Sequence, residues 1–333
     1  MNKKVSIRLL QFVAPILFCV LLLPVFAPTF ECFEFDYDEG LQVMLASLVV
    51  NGYEMYSEIW SDHPPLFVYL QATSFYIIGP SVGSARFVVL ILAAVLIWAI
   101  WRIMRFIGSA THAFAAVVIV IVVPYFLRLS VSSMIGLPAI SMAMVSLLCL
   151  AFWHRNRKMV WLLISAVALS LSILIKFYTA FLALIFVIGL LVGEFAHLRM
   201  KKSWYLGLWP AVVWSMAFCV TVILLLIALV GPLNFGQLVE IHLGGLQSDL
   251  GQKITLMNAV EQNDAILLLI ATVVGIYLTL RNRRWLALYL SAWFVAALGL
   301  LLLYGPVWYH QTPLVTVPGA MLAGYGLGET ICY

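Results

Sequence analysis

The stretch Pro64-Pro65-Leu66-Phe67-Val68-Tyr69-Leu70-Gln71-Ala72-Thr73-Ser74-Phe75-Tyr76-Ile77-Ile78-Gly79-Pro80 decides how the whole chain is threaded. It is apolar enough to suggest a membrane crossing. Yet about 30 Å of hydrocarbon, covered at 1.5 Å per residue, requires roughly 20 mostly apolar residues. The run 65–78 is shorter, carries Gln71, Thr73 and Ser74, and is bounded by Pro64-Pro65 and Gly79-Pro80. The segment before it, 41–50, is shorter still and stops at Asn51-Gly52, a good helix terminator. Both read as helices lying at the membrane surface.

Working outward from this stretch, ten runs are long enough to cross: about 9–29, 86–104, 110–127, 136–153, 160–175, 178–195, 205–230, 264–280, 285–303 and 312–328. With the N-terminus inside, 14 of the 18 Lys and Arg residues fall on the cytoplasmic side, and only Arg86, Arg128, Lys176 and Lys253 fall outside. Counting 65–78 as a span inverts every later segment and destroys this asymmetry, which the positive-inside rule forbids. The expected fold is an all-α polytopic membrane protein. A single domain covers 1–333, with an outer loop at 30–80 holding two surface helices and a second outer loop at 231–263.

The composition agrees. The chain is 65% hydrophobic and 10% charged, against about 25% charged in a soluble chain. Too few charges remain for a water-facing shell, which excludes a soluble enzyme, a disordered chain and a nucleic-acid binder. Lys3, Lys4 and Arg8 precede an apolar run longer than a signal-peptide core, so 9–29 is expected to stay as a first helix. Cys32 alone faces outward among five cysteines, so no internal disulfide is expected there.

The acids are unevenly placed. Glu31, Glu34, Asp36, Asp38, Glu39, Glu54, Glu58 and Asp62 all lie in the loop 30–63, and they are 8 of the 14 in the chain. A solvated loop also carries charge freely. Here, however, Phe35-Asp36-Tyr37-Asp38-Glu39-Gly40 leads into the helix 41–50. A helix N-terminus favours the carboxylate form, and an ionised carboxylate at a membrane surface can serve as general base toward a hydroxyl or amine. His63 stands just ahead of the paired prolines; a lone His there is also an ordinary hydrogen-bonding residue.

Taken in order, these residues resemble the C-type (GT-C) glycosyltransferases, specifically the branch of protein O-mannosyltransferases and lipid A aminoarabinose transferases. The resemblance rests on Asp38-Glu39-Gly40, Gly52 to Tyr56, His63-Pro64-Pro65-Leu66, Tyr76 to Gly79, and Arg86. Weaker matches are Gly136-Leu137-Pro138-Ala139 and Trp308-Tyr309-His310-Gln311-Thr312-Pro313-Leu314 with Pro318 and Gly324.

What the resemblance implies is an inverting hexosyl- or pentosyltransferase at the outer face of the cytoplasmic membrane. It would move a sugar from a polyprenyl phosphate to a glycan, lipid or protein acceptor. Asp38 would be the general base, with Asp36 and Glu39 as accompanying catalytic carboxylates. His63, Arg86, Arg128, Lys176, Tyr309, His310 and His242 are the candidates for holding donor phosphate or sugar, though outward Arg and Lys also serve as headgroup anchors. No cofactor is expected. Asp36-Tyr37-Asp38 is formally a metal-binding DxD of soluble glycosyltransferases, but a lipid phosphate carries less charge than a nucleotide diphosphate, and no divalent metal is expected.

Two departures stand out. Relatives often carry an acid where this chain has Gly136, and they are frequently longer, so the chain is expected to be short at its C-terminal end. Other readings are a transporter or lipid flippase, and an oligosaccharide ligase or polymerase. The first would place ionisable groups at mid-depth, where the spans here carry almost none.

Overall fold

A computed structural model of the chain describes residues 35–123, 125–198, 205–231, 234, 236–238, 265–282, 284–303 and 308–332. The described residues form twelve α-helices: α1 (Tyr37–Val50), α2 (Leu66–Ile78), α3 (Val82–Ile107), α4 (Ala110–Val122), α5 (Phe126–Ser130), α6 (Gly136–Asn156), α7 (Met159–Ile175), α8 (Phe181–Leu198), α9 (Tyr205–Leu229), α10 (Ala265–Arg281), α11 (Trp285–Leu303) and α12 (Pro313–Cys332). Single 3₁₀ turns at Phe177–Thr179 and Tyr309–Gln311 precede α8 and α12. The expected first span, 9–29, and most of the second outer loop lie outside the described residues.

Helices cover most of the other nine expected spans, with 110–127 divided between α4 and α5, and both segments expected at the surface are helical. Among the described residues, four helices are long and apolar enough to cross a membrane: Val82–Ile107, Gly136–Asn156, Leu208–Leu229 and Trp285–Leu303. Others, such as Ala110–Val122 and Met159–Ile175, are apolar but shorter. The run 110–127 is not one helix. Val123, the residue before Pro124, is extended at ψ 135, as steric conflict with a following proline ring requires. Tyr125 then takes a left-handed φ of 67 and redirects the chain into α5, which carries Arg128.

The helices divide between core and lipid by which faces are covered. α6 is the central post, with 83% of its apolar window buried, and it packs on α3 and α7. The Leu208–Leu229 segment of α9 is 6% buried and exposes Met216, Val220, Ile223, Leu224 and Ile227. Those side chains suit hydrocarbon, not water. On the other side of the bundle α4, α10 and α12 pack tightly. At Gly324 of α12 a Cβ would come within 2.5 Å of the Ala116 backbone of α4. Small residues at such crossings let helix backbones approach.

A second, separate core holds the surface layer together. Leu45, Ala46, Met55, Tyr56, Ile59, Val68, Ala72 and Phe75 pack with Ala85, Val230 and Leu238. The Tyr56 hydroxyl donates to the His63 carbonyl at 2.7 Å, and Gln237 Nε2 donates to the Tyr56 carbonyl at 2.8 Å. The loop between α1 and α2 is thereby tied at Tyr56 and at the His63 backbone.

One buried ion pair joins the surface layer to the bundle. Arg86 of α3 donates to both oxygens of Glu39 of α1, Nε to Oε1 at 2.7 Å and Nη2 to Oε2 at 2.8 Å. The Ser133 backbone N–H, just before α6, donates to the same Oε1 at 2.7 Å. The two side chains are 0% and 2% exposed. Removing one partner of such a pair strands a charge and costs about 3–5 kcal/mol, whereas apolar replacement of both is far milder. Glu39→Leu should therefore destabilise the protein strongly in thermal unfolding. Adding Arg86→Met should recover part of that loss; a further drop of similar size would show that the pair is not a coupled unit.

Candidate active site

Where the surface layer meets the bundle there is a cavity of about 720 Å³. Its polar wall is Asp36, Asp38, Gln42, Asp62, His63, Lys176, Tyr178, Tyr309, His310 and Gln311. Met134, Ile135, Leu300, Leu301 and Leu314 supply an apolar wall. Apart from Gln42, in the second turn of α1, every polar member comes from a helix terminus, a 3₁₀ turn or the loop before α2. These are the places where side chains can leave an apolar bundle without burying a charge in hydrocarbon.

Three acids in four residues take three different positions. Asp36 is the N-cap of α1: its Oδ1 accepts from the Asp38 N–H at 3.1 Å, the ordinary capping bond. Its Oδ2 accepts from the Tyr309 hydroxyl at 2.6 Å and lies 3.9 Å from Arg128 Nη2. Glu39 is the buried partner of Arg86, and neither residue lines the cavity. Asp38 projects into the cavity with 49% of its side chain exposed. Its nearest ionisable neighbour is His310, whose Nδ1 lies 3.6 Å from Oδ2, just beyond hydrogen-bonding reach. Among the three, Asp38 is the carboxylate held in the first turn of a helix yet open to a ligand.

The cations are also sorted. Lys176 follows α7 in an extended conformation, and its ammonium stands over the Tyr178 ring, 5.1 Å from the centroid. Burial pulls this ammonium down to about 8, against the opposing fields of Asp38 and Asp62. His63 lines the cavity beside Asp62, Nδ1 to Oδ1 2.8 Å. Arg128 does not line it; its guanidinium stacks on Tyr309 at 4.7 Å and supports the Asp36–Tyr309 contact from behind. Burial, then the charges of Lys176 and His63, push the His310 imidazole down to about 3, Asp36 opposing. The shift favours the neutral imidazole at physiological pH, so His310 is not a counter-ion to Asp38. Burial and the bond to Asp36 raise the Tyr309 phenol, so it remains a donor. His242 lies outside the described residues.

Tyr178 and Gly136 were not separable as site residues by sequence. The Tyr178 hydroxyl donates to the Gly136 carbonyl at 2.7 Å, which pins the 3₁₀ turn after Lys176 to the first residue of α6. On the other side of Gly136, a Cβ would sit 2.3 Å from the His310 carbonyl oxygen. No side chain fits there while the His310 turn keeps its place. The acid that the family resemblance leads one to expect at this position is thus sterically excluded, and the backbone of the His310 turn fills its space. The signal was Gly136 opening a helix, where a glycine weakens the helix unless close approach requires it.

With this geometry in view, comparison with known proteins is informative. The model of the family described as dolichyl-phosphate-mannose-protein mannosyltransferase matches residues 62–225. Among solved structures, ArnT from Cupriavidus metallidurans bound to undecaprenyl phosphate superposes with a TM-score of 0.73 at 15% identity. The match covers 94% of this chain and 59% of that one. The apo form of the same protein gives 0.68 at 14% identity, with the same coverage. The archaeal oligosaccharyltransferase AglB from Archaeoglobus fulgidus, in complex with an inhibitory peptide and a dolichol-phosphate, gives 0.57 at 15% identity, covering 87% and 46%. No curated protein matches the chain by sequence. At these identities the structural likeness is one of fold. The fold is that of an integral membrane protein, the family model matches just under half of the chain, and the chain spans 59% of the ArnT chain.

Gly136→Ala tests the steric reading. The new methyl group must displace the His310 turn, an overpacking cost of about 1–3 kcal/mol, read as a lower Tm. Gly136→Ala combined with Tyr178→Phe should not relieve it, because the obstacle is a carbonyl of the opposite turn. An unchanged Tm for Gly136→Ala would show that the turn moves freely.

Proposed function

We propose that the chain transfers a sugar from a polyprenyl-phosphate donor to an acceptor nucleophile at the outer face of the cytoplasmic membrane, both termini lying inside. The observation that carries this reading is the division of labour among Asp36, Asp38 and Glu39. Glu39 is consumed by an ion pair and Asp36, at the cavity wall, by capping and by Tyr309, which leaves Asp38 half exposed to the cavity that Lys176 and His63 also line. In this reading the acceptor oxygen or nitrogen attacks the anomeric carbon while the bond from that carbon to the phosphate oxygen breaks. Asp38 takes the acceptor's proton, and the phosphate leaves with the bonding electron pair. Because one displacement suffices, the anomeric centre inverts.

Charge accumulates on the leaving phosphate, and a fixed cation there stabilises the transition state more than the ground state. Lys176, recessed against Tyr178, supplies that cation, with His63 beside it as a second donor. Tyr309 and Arg128 act on the reaction through Asp36, holding the first turn of α1 and therefore Asp38 in place. The apolar wall formed by Met134, Ile135, Leu300, Leu301 and Leu314 suits a prenyl chain. No step uses a metal.

Asp38→Asn removes the base while leaving Asp36 to cap the helix. Sugar transfer from a polyprenyl-phosphate donor should fall on the order of 10²-fold or more, with Tm unchanged. Near wild-type turnover in that variant would remove Asp38 from the mechanism.

Lys176 gives a second, independent test. Its charge is present below about pH 8 and is lost as pH rises through that value, so kcat/KM should decline on the alkaline side with an apparent pKa near 8. Lys176→Arg keeps its charge throughout this range and should carry activity to higher pH. An alkaline limb identical in wild type and Lys176→Arg would assign it to another group.

A further inference from the structure

Five aromatic rings line the candidate active site: Tyr37, Phe177, Tyr178, Trp308 and Tyr309. Three of them are engaged by the protein itself. Phe177 packs against both hydrophobic cores. Tyr178 carries the Lys176 ammonium over its ring and donates its hydroxyl to the Gly136 carbonyl. Tyr309 lies under the Arg128 guanidinium and beside the Tyr125 ring, 5.5 Å between centroids, and donates to Asp36. Tyr37 and Trp308 are left. They are 84% and 55% exposed, and among the described residues neither ring stacks on another and neither polar hydrogen has an acceptor.

Both rings are presented from ordered backbone. Tyr37 opens α1, between the capping Asp36 and Asp38. Its neighbour Phe35 instead lies against the helix, where a Cβ at Gly40 would come within 3.0 Å of the Phe35 ring. Trp308 precedes the 3₁₀ turn Tyr309–Gln311, and Gln311 holds its backbone from both sides: the Gln311 N–H donates to the Trp308 carbonyl at 2.9 Å, and the Trp308 N–H donates to Gln311 Oε1 at 3.4 Å. Exposed aromatics are ordinary at a membrane–water interface, and Tyr53, Trp60 and Tyr76 of the same layer are exposed without lining the cavity. Tyr37 and Trp308 differ in position. They come from opposite ends of the chain and converge on the cavity that holds Asp38.

The face of an aromatic ring carries partial negative charge, which suits the slightly positive C–H face of a saccharide. A pyranose lying on such a ring projects its hydroxyls sideways. Asp38 is the next residue along from Tyr37, and the Gln42 and Gln311 amides share the wall. Asp36, Asp38 and Asp62 in the same lining disfavour an anionic acceptor, since like charges brought together in an interface are costly. Lys176 and His63 are assigned to the donor's phosphate and the apolar wall to its prenyl chain, so the two rings are the part of the lining that the donor leaves over.

We propose that Tyr37 and Trp308 form the acceptor platform of the site and that the acceptor is a neutral glycan, one pyranose ring lying on the aromatic faces with a hydroxyl turned to Asp38. This rests on the sugar-transfer reading and narrows its acceptor to a sugar hydroxyl, which supplies the oxygen of the new glycosidic bond and gives its proton to Asp38. A seryl or threonyl peptide has no flat C–H face to match two rings, and a lipid acceptor would compete for the apolar wall.

Saturation-transfer NMR on the full chain in detergent tests the platform with no donor present. The probes are the methyl pyranosides of glucose, galactose and mannose, with glucose 6-phosphate and a blocked Ala-Ser-Ala peptide as contrasts. At least one neutral pyranoside should receive saturation at its ring C–H protons. Tyr37→Ala and Trp308→Ala should each weaken its binding roughly three- to tenfold, the scale of one aromatic contact, with Tm unchanged because both rings are exposed. Tyr37→Phe and Trp308→Phe should retain it, and so should Trp60→Ala, which removes an exposed ring outside the cavity. The proposal fails if no pyranoside binds, if either alanine variant binds as wild type does, or if Trp60→Ala weakens binding as much. It also fails if the peptide or the sugar phosphate binds with the same dependence on the two rings. A chain that binds a pyranoside through both rings but forms no product with any donor overturns sugar transfer alone. One that glycosylates a peptide or lipid and ignores pyranosides overturns the glycan platform alone.

Discussion

The bidentate contact between Glu39 and Arg86 is the constraint on which the site depends. It is the point where the layer of α1 and α2 is fastened to the crossing helices, and its fully buried charges tolerate no looseness. Consecutive helical residues are about 100° apart. With Glu39 turned inward to Arg86 and the Ser133 N–H, Asp38 must point to the side, and the side it reaches is the cavity. The ion pair thus sets the direction of a neighbouring carboxylate that it never touches. Asp36 completes the arrangement by capping the same turn and by reaching Tyr309.

The sequence made the helices legible because hydrocarbon imposes a length and a composition that few other constraints imitate. Most of the described helices were readable to within a few residues, the helix at 65–78 among them. The break after Val122 was the exception, where Pro124 and a left-handed Tyr125 end a run that hydropathy alone would continue. The site was less legible. Asp36, Asp38 and Glu39 look equivalent in a linear reading, since their differences depend on Arg86 and Ser133, which are 47 and 94 positions from Glu39. Arg86 and Arg128 shared the outward side with Lys176, but only Lys176 reaches the cavity. Charge by side of the membrane predicts a region; rotational phase on a helix decides which member of the region acts.

Gly136 shows how an apparent deficit can be a packing solution. Against the pattern of the family that the sequence resembles it is a missing acid; in the structure it is the space into which the His310 carbonyl and the Tyr178 hydroxyl converge. Two cavities, the candidate site and one at the far end of α6, make a related point about the net charge of +4. One wall is lined by Asp36, Asp38 and Asp62 and the other by Arg105, Arg155 and Arg157. The sum describes neither.

The hydrogen bond between Asp36 and Tyr309 spans 273 residues. A chain made from its N-terminus inserts α1 and its acidic loop early, while Tyr309 emerges only after nearly every helix has been laid down. During that interval the second oxygen of Asp36 has no phenol to accept from, and the wall of Trp308, Tyr309 and His310 is still absent. The wall that Trp308, Tyr309 and His310 give the cavity is therefore completed late in synthesis. Half-made chains in the membrane present an unclosed groove, and the order of synthesis itself delays the assembly of the complete site until the bundle around it is in place.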